Sequence, residues 1–331
     1  MFKTRFFSIL ALLFGLLPCM SLTAYAASVS YVDGNGTSQT VDATELESTT
    51  TSWTDGSWYI VPEGGLTISG RIAVSGTVNL ILRDGTELTA SAGITTTGAT
   101  LNIYAQSTGT GALTATGASG AAKFGGNAGI GGIGVGDYAS GGAGGIVNIY
   151  GGTVTATGGN GGLGGGGGAG IGGGGLGWTS NAGSGAGGTV NIYGGTVTAT
   201  GGTGGNSGGV GAGIGGGGNG MTCSAGADGT LTLGVGVKLY NGTDNTGTVL
   251  DDNDSETRNY SGSRPKNMFA EVTTYNLTLA DGTEDASNWQ GKAGEGEYQA
   301  LPLTGLEAGT AVTVKYNGTK KVKSVKAKKK Q

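Results

Sequence analysis

Apolar and polar residues alternate with period two in short blocks along the chain, and glycine-rich runs separate the blocks. Gly144–Gly162 reads GGIVNIYGGTVTATGGNGG and Gly187–Gly205 reads GGTVNIYGGTVTATGGTGG, so two of nineteen positions differ at an offset of 43 residues. Looser copies run from Gly76 to Ala90, from Ala99 to Gly117 and from Gly229 to Tyr240. Their first aliphatic residues are Val78, Leu101, Val147, Val190 and Leu231. These are spaced at one or two multiples of a unit of roughly 22 residues, a length suited to one turn of a β-helix.

Within a block, Val147 and Ile149 face one way and Asn148 and Tyr150 the other. Beyond a Gly-Gly corner, Val154 and Ala156 alternate with Thr153, Thr155 and Thr157. Strands this short cannot bury an apolar face alone, but stacking them at about 4.8 Å buries it continuously. The expected core ladders are Leu88, Leu113, Val154 and Val197, with Ala90, Ala115, Ala156 and Ala199 beside them. The glycine runs carry AGIGG at Ala128, Ala169 and Ala212, which places Ile130, Ile171 and Ile214 as inward plugs on a third face. Two alternatives stand beside ordered glycine corners: loops hung from a smaller body, and a polyproline-II-like glycine bundle without a β ladder.

The expected fold is therefore all-β: a glycine-rich right-handed parallel β-helix, or solenoid, over residues 61–265. A cap segment, 27–60, precedes it, and a small β module with a lysine-rich tail, 266–331, follows it. Alternating strands at Tyr275–Leu279 and Ala311–Tyr316, with an Asp281-Gly282 turn, mark that module.

The ends of the chain suggest a compartment. Lys3 and Arg5 precede an apolar run from Phe6 to Leu17, and Ala24-Tyr25-Ala26 follows as a small-residue cleavage site. Residues 1–26 thus read as a secretory signal peptide, and the expected location is secreted or at the bacterial cell surface. No second run of membrane length follows, so no transmembrane segment is expected in the mature chain. Leu16, Leu17 and Pro18 before Cys19 do not match a lipid-attachment signal, which needs a small residue there. Cys223 is then the one cysteine left and cannot close an internal disulfide.

Histidine is absent, which excludes Ser/His and Cys/His dyads and imidazole-ligated zinc. Between Leu88 and Asp228 the charged residues are Lys123, Asp137 and Asp228, too few for the carboxylate sets of polysaccharide-degrading β-helices. Asp84, Glu87 and Arg83 are the remaining acid/base candidates, and a turn at a ladder edge explains them equally well. No enzymatic activity and no nucleic-acid partner are expected, and a polysaccharide-degrading enzyme ranks third among the readings. GxGxxG strings carry no nucleotide signal in so glycine-rich a chain. Leu301-Pro302-Leu303-Thr304-Gly305 matches a sortase motif in letters, but the polar stretch after it cannot hold a membrane.

Asp251, Asp252, Asp254 and Glu256 form a cluster of hard oxygen ligands without an EF-hand frame, which reads first as an exposed acidic turn and second as a calcium site. No other cofactor is expected. Tyr104, Tyr150 and Tyr193 stack outward beside Asn102, Asn148 and Asn191, a surface suited to sugar rings and amide hydrogen bonds. A purely structural ladder of like residues is the competing account. Thr114, Thr155 and Thr198, with Thr116, Thr157 and Thr200, resemble a short ice-binding array. Lys320, Lys321, Lys323, Lys326, Lys328, Lys329 and Lys330 crowd the tail of a chain of formal charge −4, and could dock the protein on an anionic envelope. Expected function is thus contact with glycans or extracellular matrix, or a passive stalk displaying the C-terminal module.

The stretch from Ser57 to Ile94, the LNIYAQSTGTGALTATG that follows it, and the GGTVTATGG and AGIGGGG repeats resemble the glycine-rich β-helical surface proteins of gut Bacteroidota and Firmicutes. The resemblance covers most of residues 31–265. It implies an extracellular β-helix, and through relatives similar to carbohydrate-binding β-helix domain proteins it implies calcium and glycans as ligands. The aspartate that calcium-binding glycine repeats carry in each unit is missing here.

Overall fold

The computed structural model describes residues 27–136, 139–178, 183–221, 223–252, 256–272, 274–277, 286–293, 296–301, 303–307 and 312–318. The chain is all-β, and most of its strands lie in three sheets of nine, eight and six strands, paired largely in parallel. It visits the sheets in turn. Thr100–Ala105 belongs to the first, Ala112–Thr116 to the second and Ile130–Gly131 to the third, and Ile146–Ile149 opens the next lap in the first sheet.

Successive laps stack in register, so equivalent residues lie over one another. In the first sheet Val78, Leu101, Val147, Val190 and Leu231 form one row. In the second sheet Leu88, Leu113, Val154 and Val197 form another, with the expected alanines two positions on. In the third, Ile72, Ile94, Ile130, Ile171 and Ile214 align. The rows converge on one continuous apolar core. Small Ala and Val in the second sheet and a single isoleucine per lap in the third keep that interior narrow.

In the last three third-sheet strands, each two residues long, the Ile is followed by a glycine in a backbone region that L side chains avoid: Gly131, Gly172 and Gly215 have φ of 142°, 138° and 149°. A Cβ on Gly131 would lie 1.9 Å from the Gly172 carbonyl oxygen.

The glycine runs are densely hydrogen-bonded in the segments described, mostly outside the three sheets. Gly167, Gly170, Gly173 and Leu176 each donate N–H to the next lap, to Gly209, Ala212, Gly215 and Gly218, at 3.0 to 3.2 Å. Ile171, in the third sheet, also donates to the next lap, to Gly213, and the other residues between them turn elsewhere: Gly168 donates to Gly159, Ala169 to Gly173, Gly174 to Gly142 and Gly175 to Gly126. Apart from Ile171, bonds to the next lap recur at every third residue, the periodicity of a polyproline-II-type strand, whose N–H groups point to successive neighbours. Loosely hung loops do not fit this pattern, and the runs combine the threefold bonding of the second alternative with a short β ladder at Ile130, Ile171 and Ile214, which that alternative lacks.

At the N-terminal end a hairpin of Ala27–Val32 and Ser38–Glu45 folds over the outside of the first sheet. Ser38–Glu45 pairs with Trp58–Ile60, and Val32 pairs back onto Ala105. This closes a small five-stranded ring. Inside it Ala43, Ile60 and Ile81 make a second core, against which Val29, Tyr31, Val41, Trp58 and Tyr104 pack.

At the other end Val237–Asn241, Thr248–Asp252 and Asn267–Val272 extend the second sheet with antiparallel pairings. The boundary expected near Lys266 thus falls just before a strand of the second sheet. Beyond it Thr274–Leu277 pairs with Leu303–Glu307, and Trp289–Ala293 with Gln299–Ala300 and Val312–Tyr316. The Asp281-Gly282 turn lies outside the described residues.

Candidate functional site

The expected Asn/Tyr surface is one continuous ladder on the first sheet. Asn102, Asn148 and Asn191 each donate an Nδ2 hydrogen bond to the Oδ1 of the preceding rung, at 2.8, 2.7 and 2.7 Å, beginning from Asn79. Beside them Tyr104 stacks on Tyr150 with ring centroids 4.8 Å apart, and Tyr150 on Tyr193 at 5.3 Å, both nearly parallel. Trp58 stacks on Tyr104 at 5.3 Å, and Tyr31 meets its edge at 4.9 Å.

This arrangement changes the reading of the six residues. Amides that hydrogen-bond to one another along the stack, and rings whose faces lie against other rings, are largely withdrawn from a ligand. Tyr104 is further covered by the N-terminal hairpin, and the backbone at Gly34 packs against the Tyr150 ring. Tyr193 ends the stack: the next rung carries Gly234, whose N–H bonds to Ile192 as that of Tyr193 bonds to Ile149.

Burial pushes the Tyr104 phenol up to about 12, with Tyr150, Tyr31 and Asp33 adding charge repulsion, and Tyr150 is raised for the same first reason. Raised acids bind protons more tightly when folded. The ladder's contribution is therefore complete below the unfolded tyrosine value of about 10 and falls as pH rises through 12. Phenolate absorbance should show a late-ionising class, and the melting temperature should drop between pH 9 and 12 less steeply in Tyr104→Phe. A pH dependence identical in the two proteins would contradict this.

The acidic cluster is divided. Asp251 is ion-paired with Arg258, and Asp252 with Lys238 at 3.0 Å. Successive strand residues point to opposite faces, which is why the two carboxylates leave in different directions. Glu256 is exposed, and Asp254 lies outside the described residues. Asp251 and Asp252 lie in the strand Thr248–Asp252 and not in an exposed turn, and among the described residues no three His, Cys, Asp or Glu side chains converge on a common point.

Arg83, Asp84 and Glu87 are also dispersed. Arg83 is paired with Glu45, lies 3.6 Å from Glu63 and donates from Nε to the Val61 carbonyl at 2.8 Å. Asp84 accepts from the backbone of Thr108 and Thr110 at 2.9 and 3.2 Å and so ties two stacked turns together. Glu87 alone borders an open groove lined by Gly64, Gly65, Leu66, Thr67, Gly85, Thr86 and Thr89. One carboxylate in an open groove cannot supply the acid and base of glycoside hydrolysis. The tail lysines from Lys320 to Lys330, and residues 1–26, expected as a signal peptide, lie outside the described residues.

Two features had no sequence signal. Arg71 threads between laps of the third sheet and donates to backbone carbonyls there. At the turn tips of the glycine runs Phe124 and Leu163 are exposed, and Lys123 Nζ sits 5.3 Å over the Trp178 ring. Among the described residues no helix is long and apolar enough to cross a membrane. Set against protein families, curated proteins and solved structures, the chain matches none of them.

Proposed function

We propose that the chain is an exported, right-handed parallel β-helix that acts outside the cell as a non-catalytic structural module, a rigid spacer presenting its C-terminal strands. The observation that carries this reading is the ladder itself: along its length the amides bond to one another and the ring faces cover one another. Stacked laps add length without adding a new site, as expected of a solenoid whose stability is a sum over neighbours.

Glycan contact is the second reading, favoured by one feature, the Tyr193 ring whose outer neighbour is a glycine. Excision of residues 146–188, one lap, tests the first. The shortened protein should retain its β circular dichroism, and neither it nor the wild type should bind a glycan array. Specific glycan retention that Tyr193→Ala abolishes would replace the spacer with the binding reading.

A further inference from the structure

The outer face of the second sheet is built differently from the ladder on the first. Its central column is Thr67, Thr89, Thr114, Thr155 and Thr198, five threonines on five successive rungs. In the last three of these strands Thr116, Thr157 and Thr200 lie two residues further along, and in the last two Thr153 and Thr196 lie two residues back. Rungs repeat at about 4.8 Å, and alternate residues along a strand at about 6.7 Å, so these side chains form a two-dimensional grid.

Three observations set this grid apart. First, among the described residues none of its hydroxyls is hydrogen-bonded within the protein, and none is sealed from solvent. The asparagines of the first sheet, by contrast, bond to one another. Second, no aromatic ring lies among the threonines: the central row ends at Phe269 and Tyr240, both buried, and the flanking row meets charge at Glu87 at one end and at Glu271 and Lys238 at the other. Third, β-branched side chains held by in-register neighbours have few rotamers, so methyl and hydroxyl positions repeat from rung to rung.

We infer that this face binds the surface of ice. Its ligand must itself be a lattice: unsatisfied donors and acceptors repeating in two directions are matched by a solid whose hydroxyls repeat likewise, and the two repeats lie within an ångström of those of oxygen rows on a prism face of ice. Ordered methyls hold the intervening water in a cage, while the hydroxyls join it to the lattice. A crystalline polysaccharide is the less suitable partner, because sugar rings are held by exposed aromatic faces, and the two rings at the end of this face, Phe269 and Tyr240, are buried.

Purified mature chain at micromolar concentration should inhibit ice recrystallisation and shape growing ice crystals. Thr155→Tyr, which breaks the plane at its centre, should lower that activity at least tenfold with unchanged circular dichroism, and Thr114→Val should weaken it less. Val210→Lys, on a glycine run, should match the wild type. No effect of the wild type on ice growth, or full activity in folded Thr155→Tyr, overturns the proposal. Retention on microcrystalline cellulose or chitin that Thr155→Tyr abolishes, with no effect on ice, also overturns it and assigns the face to a polysaccharide surface.

Discussion

Gly166→Ala should destabilise the protein by about 3 kcal/mol or more, whereas Gly183→Ala should leave it as stable as the wild type or slightly more so. Gly166 lies in a buried glycine run, and its N–H bonds to the Leu176 carbonyl at 2.8 Å while its own carbonyl accepts from Gly126. A Cβ there would lie 1.9 Å from the Gly218 oxygen and 2.3 Å from the Gly218 carbonyl carbon. Both atoms are backbone in the next lap, so no side-chain rotation relieves the clash. The stacked runs must separate, and the bonds that recur every third residue go with them. At Gly183 a Cβ meets nothing within 4 Å, and alanine there mainly restricts the unfolded chain. Urea unfolding of the two variants checks the contrast. Equal midpoints would show that the glycine runs do not pack as described.

Much of this architecture is legible because a stacked chain repeats its instructions. The period-two blocks place Val154 and Val197, or Ala156 and Ala199, in the same row, and the structure aligns them. The isoleucines of AGIGG are likewise in phase with Ile72 and Ile94, although those two lie in laps without that motif. The glycine runs are harder to read, since their order comes from backbone hydrogen bonds that leave no side-chain pattern.

The N-terminal ring escaped because Val29, Tyr31, Val41 and Ala43 alternate like any strand and do not say which surface they cover. One signal was available: Leu80-Ile81-Leu82 is an unbroken apolar run, which marks a strand buried on both faces. Its outward member, Ile81, needed a lid, and the hairpin is that lid. The same covering explains why Tyr104, expected as an open sugar platform, packs against Tyr31 and Trp58 instead. For the asparagines the residue type is compatible with ligand or ladder, and only the 2.7 to 2.8 Å spacing between amides distinguishes them.

Arg71→Leu should cost about 3 kcal/mol, and Arg71→Lys should recover less than half of that loss. The guanidinium lies among laps at the start of the third sheet. Its Nε donates to Thr95 Oγ1 at 2.6 Å, Nη1 to the carbonyls of Ala92 and Ala128 at 2.8 and 3.1 Å, and Nη2 to those of Ile94, Gly131 and Gly132 at 3.3 to 3.4 Å. Burial pushes its pKa down to about 10, so it remains charged at neutral pH. The fork thereby joins two laps whose pairing in this sheet spans only two residues each. Leucine fills the volume but leaves carbonyls without a donor in a place that water reaches poorly, and each such loss carries its own desolvation cost. A lysine ammonium has three donors on one point and cannot bridge acceptors on both sides of a planar fork. Because lap stability depends on nearest neighbours, the loss should be local: amide exchange at Ile94, Thr96 and Ile130 should accelerate well before exchange at Ile192 or Leu233. Uniform acceleration along the chain, or none, would show that Arg71 does not clamp these laps.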